Sequence, residues 1–414
     1  MKVVFASHGS LGDLVPFLEI GKTLAATGHQ AVVATHAAHR AVVEEAGLGF
    51  AAMRPDRPKD PAFHAACMAP RSGPAFIYKS HLCPAIAQSD EDLTAACRDA
   101  DILVSVTLAL AAPIVAARTG IPWLSAAFQP AMLYSAIDPP RLPMLPFIRG
   151  RVAYNEWILD AAKKGVETWA APLRAYRSAQ GLGDYPDHPA FRGQHSTRGV
   201  LALYSPLFGP LPADAPAGTV QTGQVLQSGG PPLASEVDAF LDGGRPPVVF
   251  TLGSASAHAA RRFFHHSIAF ARKLGLRALL LVGRDDNLKG LRLGPHMLAV
   301  TTAPYHKVFG RADLVVHQGG IGTIGLCAAG GTPMVLVPFS HDQPDNAARA
   351  ARAGLGQVVP QWRYGLMGGA AIANVRAASS YRSAAAAAAQ TLPAERGAET
   401  AAAEILRHAQ GVAA

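Results

Sequence analysis

Cysteine and charge are both scarce in this chain. Its four cysteines, Cys67, Cys83, Cys97 and Cys327, form no Cys-x-x-Cys pair and follow no metal-ligand spacing, which removes the usual zinc and dithiol motifs. Reduced thiols in a cytoplasmic protein are the expectation. Only 16% of the residues are charged. No run of Lys and Arg interleaved with aromatics occurs, so nucleic acid is not an expected partner. Long apolar runs are missing as well. The longest, residues 102–117, contains Ser105, Thr107 and Pro113 and is too short to span a bilayer. The opening segment has neither the length nor the cleavage region of a signal peptide. A soluble chain is expected, with contact at a membrane surface left open and the oligomeric state unaddressed.

What is present is a large apolar inventory. Half of the 414 residues are hydrophobic, and a chain of that length divides naturally into two α/β domains. The formal net charge of +8 is modest and scattered, which suits a phosphate-bearing small molecule. Lys2–Ser7 reads as a strand, residues 9–13 as a Gly-rich turn, and Leu14, Phe17, Leu18 and Leu24 as the apolar face of a helix that Gly28 stops. Short apolar strands then alternate with helical segments, the pattern of a parallel doubly wound sheet. Residues 128–195 lack strand signal and read as helices and loops. The expected domains are an N-terminal one over 1–205 and a Pro/Gly-rich linker over 206–247. A second α/β domain over 248–390 and a tail helix over 391–414, crossing back to the first, complete the chain.

The chemistry-bearing segment is His317-Gln318-Gly319-Gly320-Ile321-Gly322-Thr323, followed by Gly330-Gly331-Thr332-Pro333 and Asp342-Gln343-Pro344-Asp345-Asn346. It leaves a strand and opens a helix. Consecutive glycines let the backbone approach an anion, and the helix N-terminus supplies N–H groups and a favourable dipole. His317 and Thr323 add side-chain donors. Without its neighbours the same stretch reads equally well as a turn that packs helix on strand.

Taken together, these blocks resemble the donor-binding signature of the inverting nucleotide-sugar glycosyltransferases of the UDP-glycosyltransferase type. Together with Gly120-Ile121-Pro122-Trp123-Leu124-Ser125-Ala126 and Val248-Val249-Phe250-Thr251-Leu252-Gly253-Ser254, they are similar within that family to the rhamnosyltransferase chain of rhamnolipid synthesis, and bacterial sterol and macrolide transferases share the same general plan. The resemblance implies a GT-B fold, two Rossmann-like doubly wound α/β domains facing across a cleft. It implies that His317, Gly319, Gly320, Gly322 and Thr323 hold the diphosphate, with Ser254 at the end of a strand as an extra donor. Asp342 and Gln343 would bond the sugar hydroxyls, and Pro304, Tyr305 and Leu326 would flank the nucleoside. Gly9-Ser10-Leu11-Gly12-Asp13-Leu14-Val15-Pro16 resembles the family's N-terminal segment, in which the residue at Asp13 is the base that deprotonates the acceptor. The same Asp also has the place of a helix-capping residue.

Many UDP-using members carry a Glu where this chain has Leu326. A Leu cannot bond a ribose 2′-hydroxyl, which favours a dTDP-sugar such as dTDP-rhamnose over UDP-glucose. The expected reaction moves a rhamnose- or glucose-type sugar to a hydroxyl of a hydrophobic acceptor. No metal or cofactor is expected beyond the donor co-substrate itself. Epimerisation of a sugar nucleotide and non-catalytic binding are the competing readings. Asp90-Glu91-Asp92 is expected to be the acidic first turn of a helix capped by Ser89, and Asp99-Ala100-Asp101 is set aside because it precedes its strand. His36, His39, His258, His265 and His266 are expected at the solvent or at helix ends.

Overall fold

In the computed structural model, residues 1–411 are described apart from Lys59, Met144 and Arg261 and the side chains of Ser254, Ala255 and Ala259. The chain divides into two units. The first comprises residues 1–67, 71–225 and 395–414, the second residues 68–70 and 226–394.

The first unit is built on a seven-stranded parallel sheet of β1 (Lys2–Ala6), β2 (Gln30–Thr35), β3 (Gly49–Ala52), β4 (Ile102–Val106), β5 (Trp123–Ala127), β6 (Val200–Ala202) and β7 (Thr219–Gln221). Their order is β3-β2-β1-β4-β5-β6-β7. The strands are short apolar runs because both faces are covered, as parallel sheets require. Alternation along β1 sends Val3 and Phe5 into one core with Phe17 and Ile20 of the helix Leu11–Ala26. Val4 and Ala6 enter a second core on the opposite face, with Leu103 and Ile114. The helix Leu11–Ala26 ends where Gly28 adopts φ +82°, a left-handed turn that a Cβ would strain.

The second unit carries six parallel strands: β8 (Val248–Thr251), β9 (Ala278–Leu281), β10 (Met297–Val300), β11 (Leu314–His317), β12 (Met334–Leu336) and β13 (Gly356–Val358). Their order is β10-β9-β8-β11-β12-β13. Val248, Phe250, Leu280, Leu314, Val316 and Val335 form its core with Phe263 and Phe264. Both sheets therefore have the doubly wound α/β arrangement that the strand–helix rhythm predicts. No helix among the described residues is long and apolar enough to cross a membrane.

The expected linker over 206–247 is replaced by a sharper boundary. Residues to Val225 belong to the first unit, where β7 pairs with β6, while the helix Ser235–Asp242 belongs to the second. A three-residue edge strand has too little periodicity to stand out among prolines. The chain returns to the first unit at Glu395 rather than at 391. The helix Ser379–Ala394 belongs to the second unit, and the last helix, Gly397–Ala409, packs on the helix Leu11–Ala26. Glu395 secures this return by accepting Ser205 Oγ–H at 2.5 Å and Gln224 N–H at 2.8 Å.

The acidic triplet is not the first turn of a helix capped by Ser89. Asp90 and Asp92 lie inside the helix Ile86–Ala96. Asp90, almost fully buried, accepts Arg118 and the Tyr176 hydroxyl (2.8 Å), and Asp92 accepts Arg54. Their partners come from distant segments, which local sequence cannot reveal.

Ala401 and Ile405 of the last helix lie in the first unit's core with no exposure. Ile405→Ala is expected to lower the stability of that unit by about 2–5 kcal/mol, seen as an earlier urea midpoint. Ala403→Ser, on the exposed side of the same helix, should leave the midpoint in place.

Candidate functional site

In the second unit the strand order reverses between β8 and β11. Loops after the two strands at such a reversal diverge and leave a crevice at their C-terminal ends. β11 ends on His317, which is fully buried. The N–H of Gly319 donates to His317 Nδ1 at 3.1 Å, so the neutral ring carries its proton on Nε2. Burial pushes the imidazole pKa down to about 3, so the ring is neutral near pH 7. Nε2 is buried without a hydrogen-bond partner. An orphaned buried donor costs about 1–3 kcal/mol, a cost that an incoming acceptor oxygen removes.

The residues that follow supply backbone of the kind an anion can approach. Gly319 sits at φ +86°, where a Cβ would also press on Gln343 O at 3.3 Å. Gly320 N-caps the helix Ile321–Ala329, and Thr323 lies in its first turn, nearly buried. A Cβ on Gly322 would meet nothing within 4 Å, so the first turn is open to a ligand. The leading N–H groups of this helix have no intrahelical partner, and its dipole adds partial positive charge.

The loop after β8 reaches the same place. Gly253 adopts φ +64°, and a Cβ there would fall 2.6 Å from Gln318 Nε2. A Cβ on Gly320 would fall 2.8 Å from the same atom. The Gln318 amide therefore lies between two glycine backbones, one from each side of the reversal. Sequence reasoning missed this residue; its only signal was a long amide placed beside glycines. The side chain of Ser254 lies outside the described residues.

Tyr305 is built into the wall. Its hydroxyl is 2.6 Å from Thr251 Oγ1, and its ring stacks on Phe309 with centroids 4.8 Å apart. Burial raises the phenol pKa. One face of the ring is thus occupied, which narrows the expected stacking role to the other face. Pro304 N-caps the short helix Tyr305–Val308, which packs on the helix Ile321–Ala329, where Leu326 is half-buried.

Asp342 and Gln343 differ in availability. Gln343 Oε1 accepts the N–H groups of Phe339 (2.9 Å) and Ser340 (3.2 Å), and its Nε2 donates to Ser256 Oγ at 3.0 Å. An amide has two N–H donors, so one remains. Gln343 primarily shapes the loop. Asp342, the half-buried N-cap of the helix Gln343–Arg352, accepts Asn346 Nδ2–H at 2.5 Å. One turn further in, Arg349 Nε donates to Asp345 at 2.6 Å in an ion pair with 1% exposure on each side. That pair fixes the base of the helix that presents Asp342.

In the first unit the order reverses between β1 and β4, and the Ser7–Asp13 turn leaves β1 at that point. Asp13 lies in the first turn of the helix Leu11–Ala26. Its Oδ2 accepts the Ser10 backbone N–H at 2.6 Å and the Ser10 hydroxyl at 3.0 Å. The cap is therefore real, and it fixes the side chain's rotamer. A Cβ on Gly9 would stand 2.2 Å from Asp13 Oδ2. The carboxylate thus packs directly on the Gly9 backbone, and only glycine leaves room for it. On β4, Ser105 Oγ accepts Trp123 Nε1–H at 2.8 Å.

His36 is buried rather than solvent-facing. Its Nε2 is 3.4 Å from Gly9 O, and its ring lies 3.9 Å from that of His39. His8, from the turn itself, is buried too and within electrostatic range of His36 and His81. Burial pushes His8 down to about 3 and His39 and His81 to about 4. Single histidines carry no periodic signal, so this cluster was invisible in sequence.

The glycosyltransferase family 28 C-terminal domain model matches residues 248–400. Over 371 residues the chain is 31% identical to the O-mycaminosyltylonolide 6-deoxyallosyltransferase of Streptomyces fradiae, covering 86% of this chain and 84% of that protein. The fold matches the glycosyltransferase VinC, solved with dTDP, at a TM-score of 0.73 and 17% identity over 99% of this chain and 100% of that one. It matches the spinosyn rhamnosyltransferase SpnG at 0.70 and 18% identity over 98% and 100%.

Two outcomes follow from these geometries. Gly9→Ala is expected to displace the Asp13 carboxylate from Ser10 and to lower the melting temperature while the fold survives, in parallel thermal melts and circular dichroism. The buried and half-buried imidazoles give a pH dependence. His8 and His317 titrate near 3 and His39, His81 and His195 near 4, against 6.5 when unfolded. Between those values the unfolded chain binds more protons, so stability is present above pH 6.5 and is lost as pH falls. The melting temperature should drop between pH 6.5 and 4.5; a flat profile contradicts the burial of these rings.

Proposed function

The chain belongs to the glycosyltransferases of natural-product type, and from that premise we propose a specific reaction for it. It is an inverting transferase that moves a rhamnose- or glucose-type sugar from a nucleoside diphosphate to a hydroxyl of a hydrophobic acceptor. Asp13 takes the acceptor proton as the oxygen attacks the anomeric carbon, and the bond from that carbon to the diphosphate breaks. The departing charge falls on the His317 Nε2–H and the N-terminus of the helix Ile321–Ala329. Asp342, with the remaining N–H of Gln343, orients the sugar.

The observation that carries this reading is the buried, unpartnered Nε2–H of His317 beside an open helix N-terminus at the strand-order reversal. A neutral donor suits a leaving group whose negative charge grows during the reaction. Leu326, half-buried beside the Tyr305 helix, supports a donor without a ribose 2′-hydroxyl, hence dTDP over UDP. The relative named a 6-deoxyallosyltransferase supports a 6-deoxy sugar of the rhamnose kind. Its tylonolide substrate name supports an acceptor of natural-product size.

Asp13→Asn keeps the shape of the cap and removes the base. It is expected to lower transfer by about 10²–10⁴-fold while the affinity for dTDP, measured by calorimetry, is unchanged. Undiminished transfer would remove Asp13 from its role. Calorimetry with dTDP and UDP tests the donor: a preference for dTDP of roughly 5–150-fold, from about 1–3 kcal/mol for an unpaired hydroxyl, is expected, and Leu326→Glu should narrow it. Tighter binding of UDP would contradict the donor assignment.

A further inference from the structure

The helices Phe263–Lys273 and Tyr364–Ala377 pack together in the second unit and carry none of the residues assigned to the transfer. Glycines on the second helix admit rings from the first. A Cβ on Gly365 would fall 2.8 Å from the His266 ring, and one on Gly368 would fall 2.6 Å from the Phe270 ring. These contacts bring the starts of the two helices side by side. There the apolar side chains face water: Trp362 is 76% exposed, Leu366 85% and Met367 37%. Trp362 and Leu366 are four residues apart, as are Arg363 and Met367, so each pair shares one side of the helical run that begins at Gln361. The Arg363 guanidinium lies over the Trp362 ring, 4.3 Å from its centroid, and joins the two pairs into one tip. Singly exposed apolar residues are ordinary, whereas three at one helix start mark an interaction surface.

The charge beside this tip has one sign. Arg262 and Arg363 are the exposed N-cap residues of the two helices, and among the described residues no ion pair engages them. A helix start favours acids and disfavours cations, so helix stability does not account for either Arg. Residues 243–284 and 346–394, which contain both helices, include no Asp or Glu. Two copies of such a face would repel each other. Side chains as exposed as Trp362 and Leu366 protrude, and they leave no groove to hold a partner helix. We propose that Trp362, Leu366 and Met367, with Arg262 and Arg363, dock on an anionic lipid surface. The apolar tips enter below the headgroups, while the guanidinium groups stay at the level of the lipid phosphates. Trp is suited to that boundary because its ring is apolar and its N–H polar.

Flotation of the full-length protein tests it, with vesicles of phosphatidylcholine alone and of phosphatidylcholine mixed with phosphatidylglycerol. The protein is expected to float with the mixed vesicles at low salt and to be released as salt rises. Arg262→Gln with Arg363→Gln should weaken that partition by roughly 25-fold, about fivefold for each Arg. Trp362→Ser with Leu366→Ser should weaken it as well. Neither pair should lower the melting temperature, which separates lost docking from lost folding. Tryptophan emission should shift to the blue with mixed vesicles, and Trp362→Phe should remove that shift while the protein still floats. No partition at millimolar anionic lipid, partition unchanged in both double variants, or a blue shift that survives Trp362→Phe overturns the proposal. A dimer in sedimentation velocity that Leu366→Ser dissolves, without vesicle binding, overturns it too and assigns the face to a second copy. Retention on immobilised polyglutamate without vesicle binding overturns it in favour of an acidic polypeptide.

Discussion

The hydrogen bond from Gly319 N–H to His317 Nδ1 sets what the second unit can do. It forces the proton onto Nε2, and burial keeps the ring neutral, so the molecule presents one oriented donor in a dry place. The surrounding details serve that arrangement. β11 carries His317 to the strand-order reversal, and Gly319 turns the chain with positive φ so that the helix begins immediately beyond. The Asp345–Arg349 pair and the Gln343 amide hold the neighbouring loop, against whose backbone Gly319 packs. A protonated imidazole would attract a diphosphate more strongly, but at this depth its desolvation is prohibitive. On the proposed reading a neutral donor and helix dipoles serve instead.

The first unit solves a parallel problem with different residues. It too places a glycine-rich turn after a central strand at a strand-order reversal, and it too relies on a glycine that admits a polar group. There the polar group is a carboxylate, Asp13, held by Ser10 over Gly9. Both bonds from Ser10 fall on Oδ2 and fix the direction of the carboxylate.

Much of this was readable from sequence because it rests on local signals. Strands such as Val248–Thr251, the helix with Leu14, Phe17 and Leu24, and the stop at Gly28 follow from periodicity and backbone preference. The glycine-rich turn after β11 follows from glycine spacing, whereas the roles proposed for Asp13, Asp342 and Gln343 rest on the resemblance alone. What stayed hidden depends on contacts between distant residues. The wedge of Gln318 between Gly253 and Gly320, the buried histidines around Gly9 and the pairing of Asp90 with Arg118 join segments whose meeting no local pattern encodes. Tyr305 shows the same limit: its type suggested stacking on a base, while Phe309 and Thr251 decide how much of it remains for a ligand.

Titration of dTDP and of thymidine into the wild-type protein and His317→Phe tests the central claim most directly. Phe keeps the ring's bulk and deletes the Nε2 donor. A bond to a charged group is worth about 1.5–3 kcal/mol, so the variant should bind dTDP roughly 10–150-fold more weakly and thymidine with unchanged affinity. Unchanged binding of dTDP, or an equal loss for the nucleoside without its diphosphate, would contradict the assignment of His317 to the diphosphate.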